Sequence, residues 1–388
     1  MKYLHDAGLV LSPAAVLEVA EAFADELERG LSGKSSSLAM NPSCLPWKPG
    51  RSGRSVGRVI VLDAGGTRFR AARVSWESGA REVEKQVEVP MPGTQGLVSK
   101  QAFFDAMAAA LGEVMEEALP IGFCFSFPTD IQADKDGRLV QFSKEIQAPE
   151  VVGQLVGHEL KLALARKASP RPGALVVLND TVATLLAAEA VVGSDHWSSG
   201  IGLILGTGTN GCYPEPSRQG EVYNTEWGAF RLFPRGSLDQ AFANLTQDPD
   251  AYWLEKTISG AYLGPLCSLA VEQALGQSEK WTTADLADPL GRAEGDKVRI
   301  VVEAVVDRGA ALLAAATAAV LWRTGGGHQS DRPVGIIAEG STFWKLPGLK
   351  GRFETHLKGL LQGSHQRHYS LQQIPQAPFW GSAAASRW

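Results

Sequence analysis

Apolar positions first recur at helical spacing in Val16, Val19, Phe23 and Leu27. Ser12 and Pro13 stand just before them as a helix cap and a first-turn proline, and the helix is predicted to run to Glu28. From Gly30 to Gly57 the periodicity lapses into Ser, Pro, Gly and Arg, which predicts a connector between packing units. Beyond it, short apolar runs predict strands at Arg58–Leu62, Phe69–Trp76, Ile121–Phe127, Leu175–Leu178, Gly200–Leu205 and Pro333–Ala338. Between them, helical spacing covers Lys100–Ala118, with Phe103, Met107, Leu111 and Val114 on one face, and then Ala183–Ala190. Leu238–Leu275 and Val298–Leu321 also read as mostly helical. Alternation of strand and helix over most of the chain predicts an α/β fold. Two strands each run into a Gly/Thr turn, Asp63-Ala64-Gly65-Gly66-Thr67 and Gly206-Thr207-Gly208-Thr209, an echo that suggests related halves of a duplicated fold.

Composition narrows the function classes. The 388 residues allow two or three domains at roughly 150 residues each. Hydrophobic residues at 44% and charged residues at 20% describe a globular chain. With 37 Lys+Arg against 42 Asp+Glu and no basic block, neither nucleic acid nor an anionic membrane is an expected partner. Cys44, Cys124, Cys212 and Cys267 form no Cys-x-x-Cys pair, so no zinc cluster or disulfide framework is written, and a reducing compartment fits. Met1–Leu11 is too short an apolar run for a signal peptide, and no stretch approaches the roughly 20 apolar residues of a membrane span. These features predict a soluble cytoplasmic protein.

The two glycine turns are candidates for phosphate binding, because glycine lets consecutive backbone N–H groups point at phosphate oxygens. Thr67, Thr207 and Thr209 add hydroxyls; two hairpin turns without a ligand are the plain alternative. Asp63 closes a buried strand beside the first turn, a costly position unless the carboxylate is paired, hydrogen-bonded or near a cation such as Mg2+. Gly33-Lys34-Ser35 imitates a P-loop, but Glu28 stands where its first glycine belongs and no strand precedes it. No Gly-x-Gly-x-x-Gly follows a strand either, which disfavours dinucleotide binding. Asn179-Asp180-Thr181 ends a strand and opens a helix, so Asp180 is either part of a helix cap or a general base where α/β ligands gather. Asn210, Glu226 and the neighbouring Asn224 offer the side chains that satisfy a ring of hydroxyls, with Trp227 as an aromatic beside them. Lys144 is either a solvated surface charge or a support for a transferring phosphoryl group.

In sequence these segments resemble the hexokinase family, the sugar kinases of the actin-like ATPase superfamily, from about Ser36 to Ala383. Ser36-x-Leu38-x-Met40-x-Pro42-Ser43 resembles the segment before the first strand, and Leu62-Asp63-x-Gly65-Gly66-Thr67-x-Phe69-Arg70 the first phosphate motif. Phe123 to Pro128 is similar to the sugar-binding strand and turn, and Asn179-Asp180-Thr181-Val182-x-Thr184 to the catalytic segment. Gly202 to Tyr213 resembles the second phosphate motif, followed by Asn224-x-Glu226-Trp227-Gly228-Ala229-Phe230 and Glu255-Lys256-x-Ile258-Ser259-Gly260-x-Tyr262-Leu263-Gly264.

The resemblance implies a two-lobed actin-like ATPase (ribonuclease H-like) fold, with mixed sheets flanked by helices and a cleft that sugar binding closes. Residues 1–57 would form an N-terminal helix and connector packed on the large lobe, 58–178 the small lobe and 179–378 the large lobe. Residues 379–388 would return as a tail to the small lobe. It implies ATP-dependent phosphorylation of the 6-hydroxyl of a hexose, glucose first among candidates, with Mg2+. Asp180 would be the base; Ser126, Phe127, Pro128, Ser143, Lys144, Asn179, Asn210, Glu226 and Glu255 would surround the sugar, with Lys144 also near the transferred phosphate. Gly65, Gly66, Thr67, Arg68, Arg70, Gly206, Thr207, Gly208, Gly340 and Ser341 would hold the nucleotide, and Asp63 the metal through water. Arg68 departs from the family's usual Asn, Ser143 from a common Thr and Glu339 from the usual Asp. The alternative function is a non-catalytic sugar sensor, against which the presence of Asp180 counts. Monomer and dimer are both open.

Overall fold

In the computed structural model, which describes residues 2–47, 56–77, 80–142, 146–167, 170–190 and 194–388, the chain forms two units. One comprises 1–40, 203–211 and 225–371, the other 41–202, 212–224 and 372–388. The architecture is mixed sheets flanked by helices, the actin-like ATPase fold that the resemblance implies.

The second unit is built on five strands: β1 Gly57–Ala64, β2 Arg68–Glu77, β3 Ala80–Pro90, β4 Ile121–Phe125 and β5 Leu175–Leu178, in the order β3-β2-β1-β4-β5. β1, β4 and β5 run parallel, with Asp63 opposite Cys124 and Cys124 opposite Leu178. Every residue of β4 and β5 is buried, which explains their unbroken apolar runs. On one face Ile60, Leu62 and Phe123 pack with Phe103, Met107 and Leu111 of the helix Lys100–Val114. On the other face Val59, Val61, Ala72 and Val74 meet Phe379, Ala383 and Ala384 of the helix Ala377–Ala385. That helix also packs on Asp180–Leu186. The approach leaves room only for glycine: a Cβ at Gly122 would lie 1.8 Å from the Ser382 carbonyl oxygen, and one at Gly381 1.7 Å from that of Ala183.

Two strands of this unit escape periodicity. Ala80–Pro90 carries Arg81, Glu82, Glu84, Lys85 and Glu88 on a largely exposed edge, where charge blunts pairing with other chains but also hides the apolar signal. Asn41–Pro46 lies inside the expected connector and pairs antiparallel with Glu221–Asn224; it tolerates Pro42 and Pro46 as an edge strand does. The helix expected to reach Ala118 ends at Val114.

The first unit is organised around the helix Lys297–Arg323, packed by the helices Pro13–Leu31, Leu263–Leu275 and Leu349–Leu360. It is long and apolar enough to cross a membrane, but 89% of its most apolar window is buried inside the fold, which makes it a core helix. Ser12 caps Pro13–Leu31 by accepting from the Ala15 N–H at 3.1 Å. The segment 238–275 is broken into Ser237–Ala243, Trp253–Ile258 and Leu263–Leu275, so its long helical pattern belongs to three helices separated by turns.

One buried charge pair ties this core together. Arg308, 1% exposed, donates two bonds of 2.8 Å to Asp239, 4% exposed, and a third of 3.0 Å to the Pro234 carbonyl. Removing one partner strands the other charge in the interior. Arg308→Ala is therefore expected to cost about 3–5 kcal/mol of unfolding free energy in urea melts. Arg308→Met combined with Asp239→Leu should recover most of the loss. A single-mutant loss below about 1 kcal/mol would mean that the pair behaves like a surface bridge.

Candidate active site

In the second unit, polar residues collect where the buried parallel strands end. Asp63 is the penultimate residue of β1, Ser126 follows β4, and Asn179 and Asp180 follow β5. The carboxyl ends of parallel strands are where α/β proteins bind ligands. Asn179 caps the helix Asp180–Leu186 by accepting from the Thr181 N–H at 2.8 Å. Asp180 is the first helical residue and half-buried; its Oδ1 accepts from the Thr181 hydroxyl at 3.3 Å, and its carbonyl from the Thr184 hydroxyl at 2.9 Å. A carboxylate in the first turn is favoured by the helix dipole. The cap and the candidate base are thus adjacent residues with separate tasks.

Asp63 is paired. Its Oδ2 accepts from Arg70 Nη2 at 2.9 Å, and Arg70 Nη1 donates to Gln376 Oε1 at 3.0 Å. Cys124, a residue the sequence did not flag, lies beside this group: its Sγ is 3.8 Å from the Ser126 hydroxyl. Burial pushes its thiol well up, and the Asp63 and Asp180 carboxylates add to the shift. Its thiol hydrogen stays in place at neutral pH, so this cysteine is a neutral neighbour of two acids.

The remaining residues of this half divide. Gly65 donates its N–H to the Arg68 carbonyl at 3.0 Å, so the first glycine turn is a hairpin turn between β1 and β2. Gly66 is half-exposed and Thr67 exposed. Arg68 points outward, 66% exposed, 3.3 Å from Glu88. Phe127 is a core residue, its ring 5.0 Å from Phe125 and 5.1 Å from Phe142, and its carbonyl accepts from the Thr129 hydroxyl at 2.8 Å. The Pro128 carbonyl accepts from the Val140 N–H at 2.9 Å. Ser143 and Lys144 lie outside the described residues.

In the first unit the second glycine turn is again a hairpin turn, with the Gly206 N–H on the Gly208 carbonyl at 3.0 Å. Glu255, on the helix Trp253–Ile258, reaches back to it: its Oε2 accepts from the Thr209 N–H at 3.1 Å. Asn210 Nδ2 donates to Glu226 Oε1 at 3.1 Å, and Trp227 Nε1 to the Thr209 hydroxyl at 2.9 Å. Asn210, Glu226 and Glu255 therefore stand as one polar group about a single strand start. Burial raises the pKa of Glu255, partly offset by the Thr209 N–H. Tyr252 and Tyr262 flank it; burial raises both phenols, and the Glu255 charge adds to the shift. Tyr252 was not anticipated, and its exposed ring offers no periodic signal.

Beside this group is a cavity of about 390 Å3 lined by Thr207, Gly260, Thr282, Thr283, Ser341, Thr342, Lys345 and others. The Gly206 carbonyl accepts from the Gly260 N–H at 2.7 Å and from the Thr342 hydroxyl at 2.9 Å, which fixes the turn as one wall. Gly340 holds φ at +116°, and a Cβ there would come 2.2 Å from the Leu205 carbonyl oxygen, so the chain can enter this wall only as glycine. A hydroxyl-rich cavity of this size, ending on a glycine turn, fits a nucleotide. Among the described residues no group of three or more His, Cys, Asp and Glu could hold a metal by itself. A hydrated divalent cation needs as little as one carboxylate from the protein, and Asp63 at the end of β1 has the chemistry to be that one.

Comparison with known proteins points the same way. Two family models described as hexokinase match residues 5–190 and 200–291 with 279–387. Hexokinase-2 of Homo sapiens is 30% identical over 419 residues, covering 92% of this chain and 45% of that protein. The chain thus spans less than half the length of that relative. A crystal structure of a hexokinase superposes with a TM-score of 0.84 at 26% identity, covering 99% of this chain and 98% of that one. The hexokinase of Schistosoma mansoni complexed with glucose gives 0.80 at 25% identity, over 99% and 98% of the two chains.

The raised pKa of Glu255 makes a stability prediction. Its carboxyl holds a proton more tightly folded than unfolded, so its ionisation destabilises the fold as pH rises from the ordinary glutamate range through the folded value. Below that window the term vanishes. Glu255→Gln is expected to melt higher than wild type at neutral pH, by roughly 1–3 °C, and equally at pH 4. A difference that does not change with pH would assign the effect to packing instead.

Proposed function

This chain belongs to the hexokinase family, and from that premise we propose that it transfers the γ-phosphoryl group of ATP to the 6-hydroxyl of a hexose. The observation that carries the reading is the position of Asp180: a half-buried carboxylate at the end of β5, with Ser126 at the end of β4 beside it and Asp63 at the end of β1, the next strand over. Such a carboxylate accepts the hydroxyl proton as the sugar oxygen bonds to the γ-phosphorus. The bond from that phosphorus to the β,γ-bridging oxygen breaks, and its electrons leave with ADP. The protein's contribution is positioning and charge stabilisation, since the base needs contact more than basicity.

Asn179, Ser126, Asn210, Glu226 and Glu255 would bind the sugar hydroxyls, together with the backbone at Phe127 and Pro128 and with Ser143 and Lys144. Glucose leads among the hexoses because the Schistosoma relative is described in complex with it. Gly65, Gly66 and Thr67, Gly206 to Gly208, and Gly340 with Ser341 would hold the nucleotide. Arg68 stands at the edge of that group. Mg2+ would neutralise charge on the β- and γ-phosphates, with Asp63 orienting its water shell. Arg70, engaged with Asp63, would act on the nucleotide through that carboxylate. Cytoplasmic location belongs to the same proposal, supported by four unpaired cysteines of which three are buried.

The test is ADP release with Mg-ATP and no sugar, glucose, mannose, fructose or galactose. Hexose-dependent turnover is expected, with slow ATP hydrolysis when sugar is absent, because substrate binding assembles the site. Asp180→Asn should lower kcat by about 100- to 10,000-fold. Folded protein that binds glucose but releases no ADP with any hexose would replace the proposal with a sugar sensor.

A further inference from the structure

We infer that the helix Ala377–Ala385 holds Asp63 in its working orientation through Arg70, with Gln376 and Phe379 as positioning residues for the metal–nucleotide side of the reaction. This rests on the phosphotransfer reading above. Asp63 and Arg70 are register partners on β1 and β2, so their side chains share a face of the sheet. The guanidinium is held from three directions: by Asp63 Oδ2 at 2.9 Å, by Gln376 Oε1 at 3.0 Å, and by the face of Phe379, whose ring centre lies 4.6 Å from Arg70 Cζ. The last is a cation–π contact. Phe379 is itself buried among Val59, Val61, Ala72 and Val74, so the clamp is anchored to the same strands that carry the ion pair.

The clamp has a specific chemical consequence. A free guanidinium beside a carboxylate closes onto both of its oxygens in a two-pronged pair. Gln376 occupies Nη1, and Arg70 reaches Asp63 through Nη2 to Oδ2; among the described residues no hydrogen bond to Oδ1 is seen. An aspartate that orients the water shell of a cation requires both an open oxygen and a fixed rotamer, and the arrangement supplies both. Gln376 pays for its place: it sits at φ +57°, a left-handed conformation that is strained for any residue with a Cβ. A glycine would relieve the strain but could not reach Arg70.

That strain separates positioning from structure. Gln376→Gly should melt no lower than wild type, yet require about 3- to 10-fold more Mg2+ for half-maximal ADP release at fixed ATP and hexose. Gln376→Glu, which restores an acceptor for Nη1, should return the Mg2+ requirement to within about 2-fold of wild type. Titration calorimetry of ATP with Mg2+ and with EDTA gives a readout independent of turnover. The affinity gained from Mg2+ should shrink by the same 3- to 10-fold in Gln376→Gly. An unchanged Mg2+ dependence in both assays overturns the inference, as does a wild type whose ATP affinity is indifferent to Mg2+. If the wild type releases no ADP with any hexose, the phosphotransfer reading falls while the calorimetry still decides the role of Gln376.

Discussion

A strand buried on both faces can carry polar side chains only where it ends, and the site is arranged by that constraint. β4 and β5 are buried throughout, and β1 is buried from Val59 to Leu62. Helices cover both faces of the sheet. Asp63, Ser126 and Asn179-Asp180 therefore appear together at the carboxyl ends of three adjacent parallel strands, although they are far apart in sequence. Their alignment follows from register: Asp63 opposite Cys124, and Cys124 opposite Leu178. The close approach of Gly122 and Gly381 to neighbouring carbonyls belongs to the same constraint, because the covering helix must lie near enough to exclude water from the sheet.

The acids are held in different ways. Asp63 lies 2.9 Å from a guanidinium and is partly exposed. Asp180 sits in the first turn of a helix, where the backbone dipole favours an anion. Glu255 has neither advantage: it is desolvated, with one backbone N–H to offset the loss, and its pKa rises. A desolvated carboxylate with few hydrogen-bond donors around it is a poor contributor to stability.

The buried elements were legible because their apolar runs admit few alternatives. β1, β4, β5 and the helix Pro13–Leu31 follow from periodicity alone. Ala80–Pro90 and Asn41–Pro46 were not legible: one is an exposed charged edge and the other carries two prolines, so neither alternates in hydrophobicity. For the candidate site, motif order singled out Asp63, Asp180, Asn210, Glu226 and Glu255, of which Asn210, Glu226 and Glu255 gather at one strand start and Asp63 and Asp180 at the ends of parallel strands. It did not locate Cys124, Tyr252 or Gln376, which matter through the neighbour they touch. Arg70 was assigned to the nucleotide by its place in a motif; its hydrogen bonds lead instead to Asp63 and Gln376. Partnership across the chain is a tertiary property, and spacing carries no trace of it.

Backbone strain marks the same places. Among the described residues, seven without glycine's freedom hold positive φ, and three of them are Glu226, Tyr252 and Gln376, at 54°, 54° and 57°. Glu226 carries a carboxylate bonded to Asn210, Tyr252 precedes the helix that bears Glu255, and Gln376 bonds Arg70. Glycine or asparagine would sit in that conformation at less cost. Strained conformations persist only where the surrounding structure over-determines them, so at each position the side chain must be worth more to the protein than the backbone energy it forfeits. For Glu226 and Gln376 that worth is visible as a hydrogen bond to a second polar residue of the site. Tyr252 differs: its ring is 42% exposed and stands within the field of the Glu226 and Glu255 carboxylates, so its strain is tied to the same polar group by charge and not by a hydrogen bond.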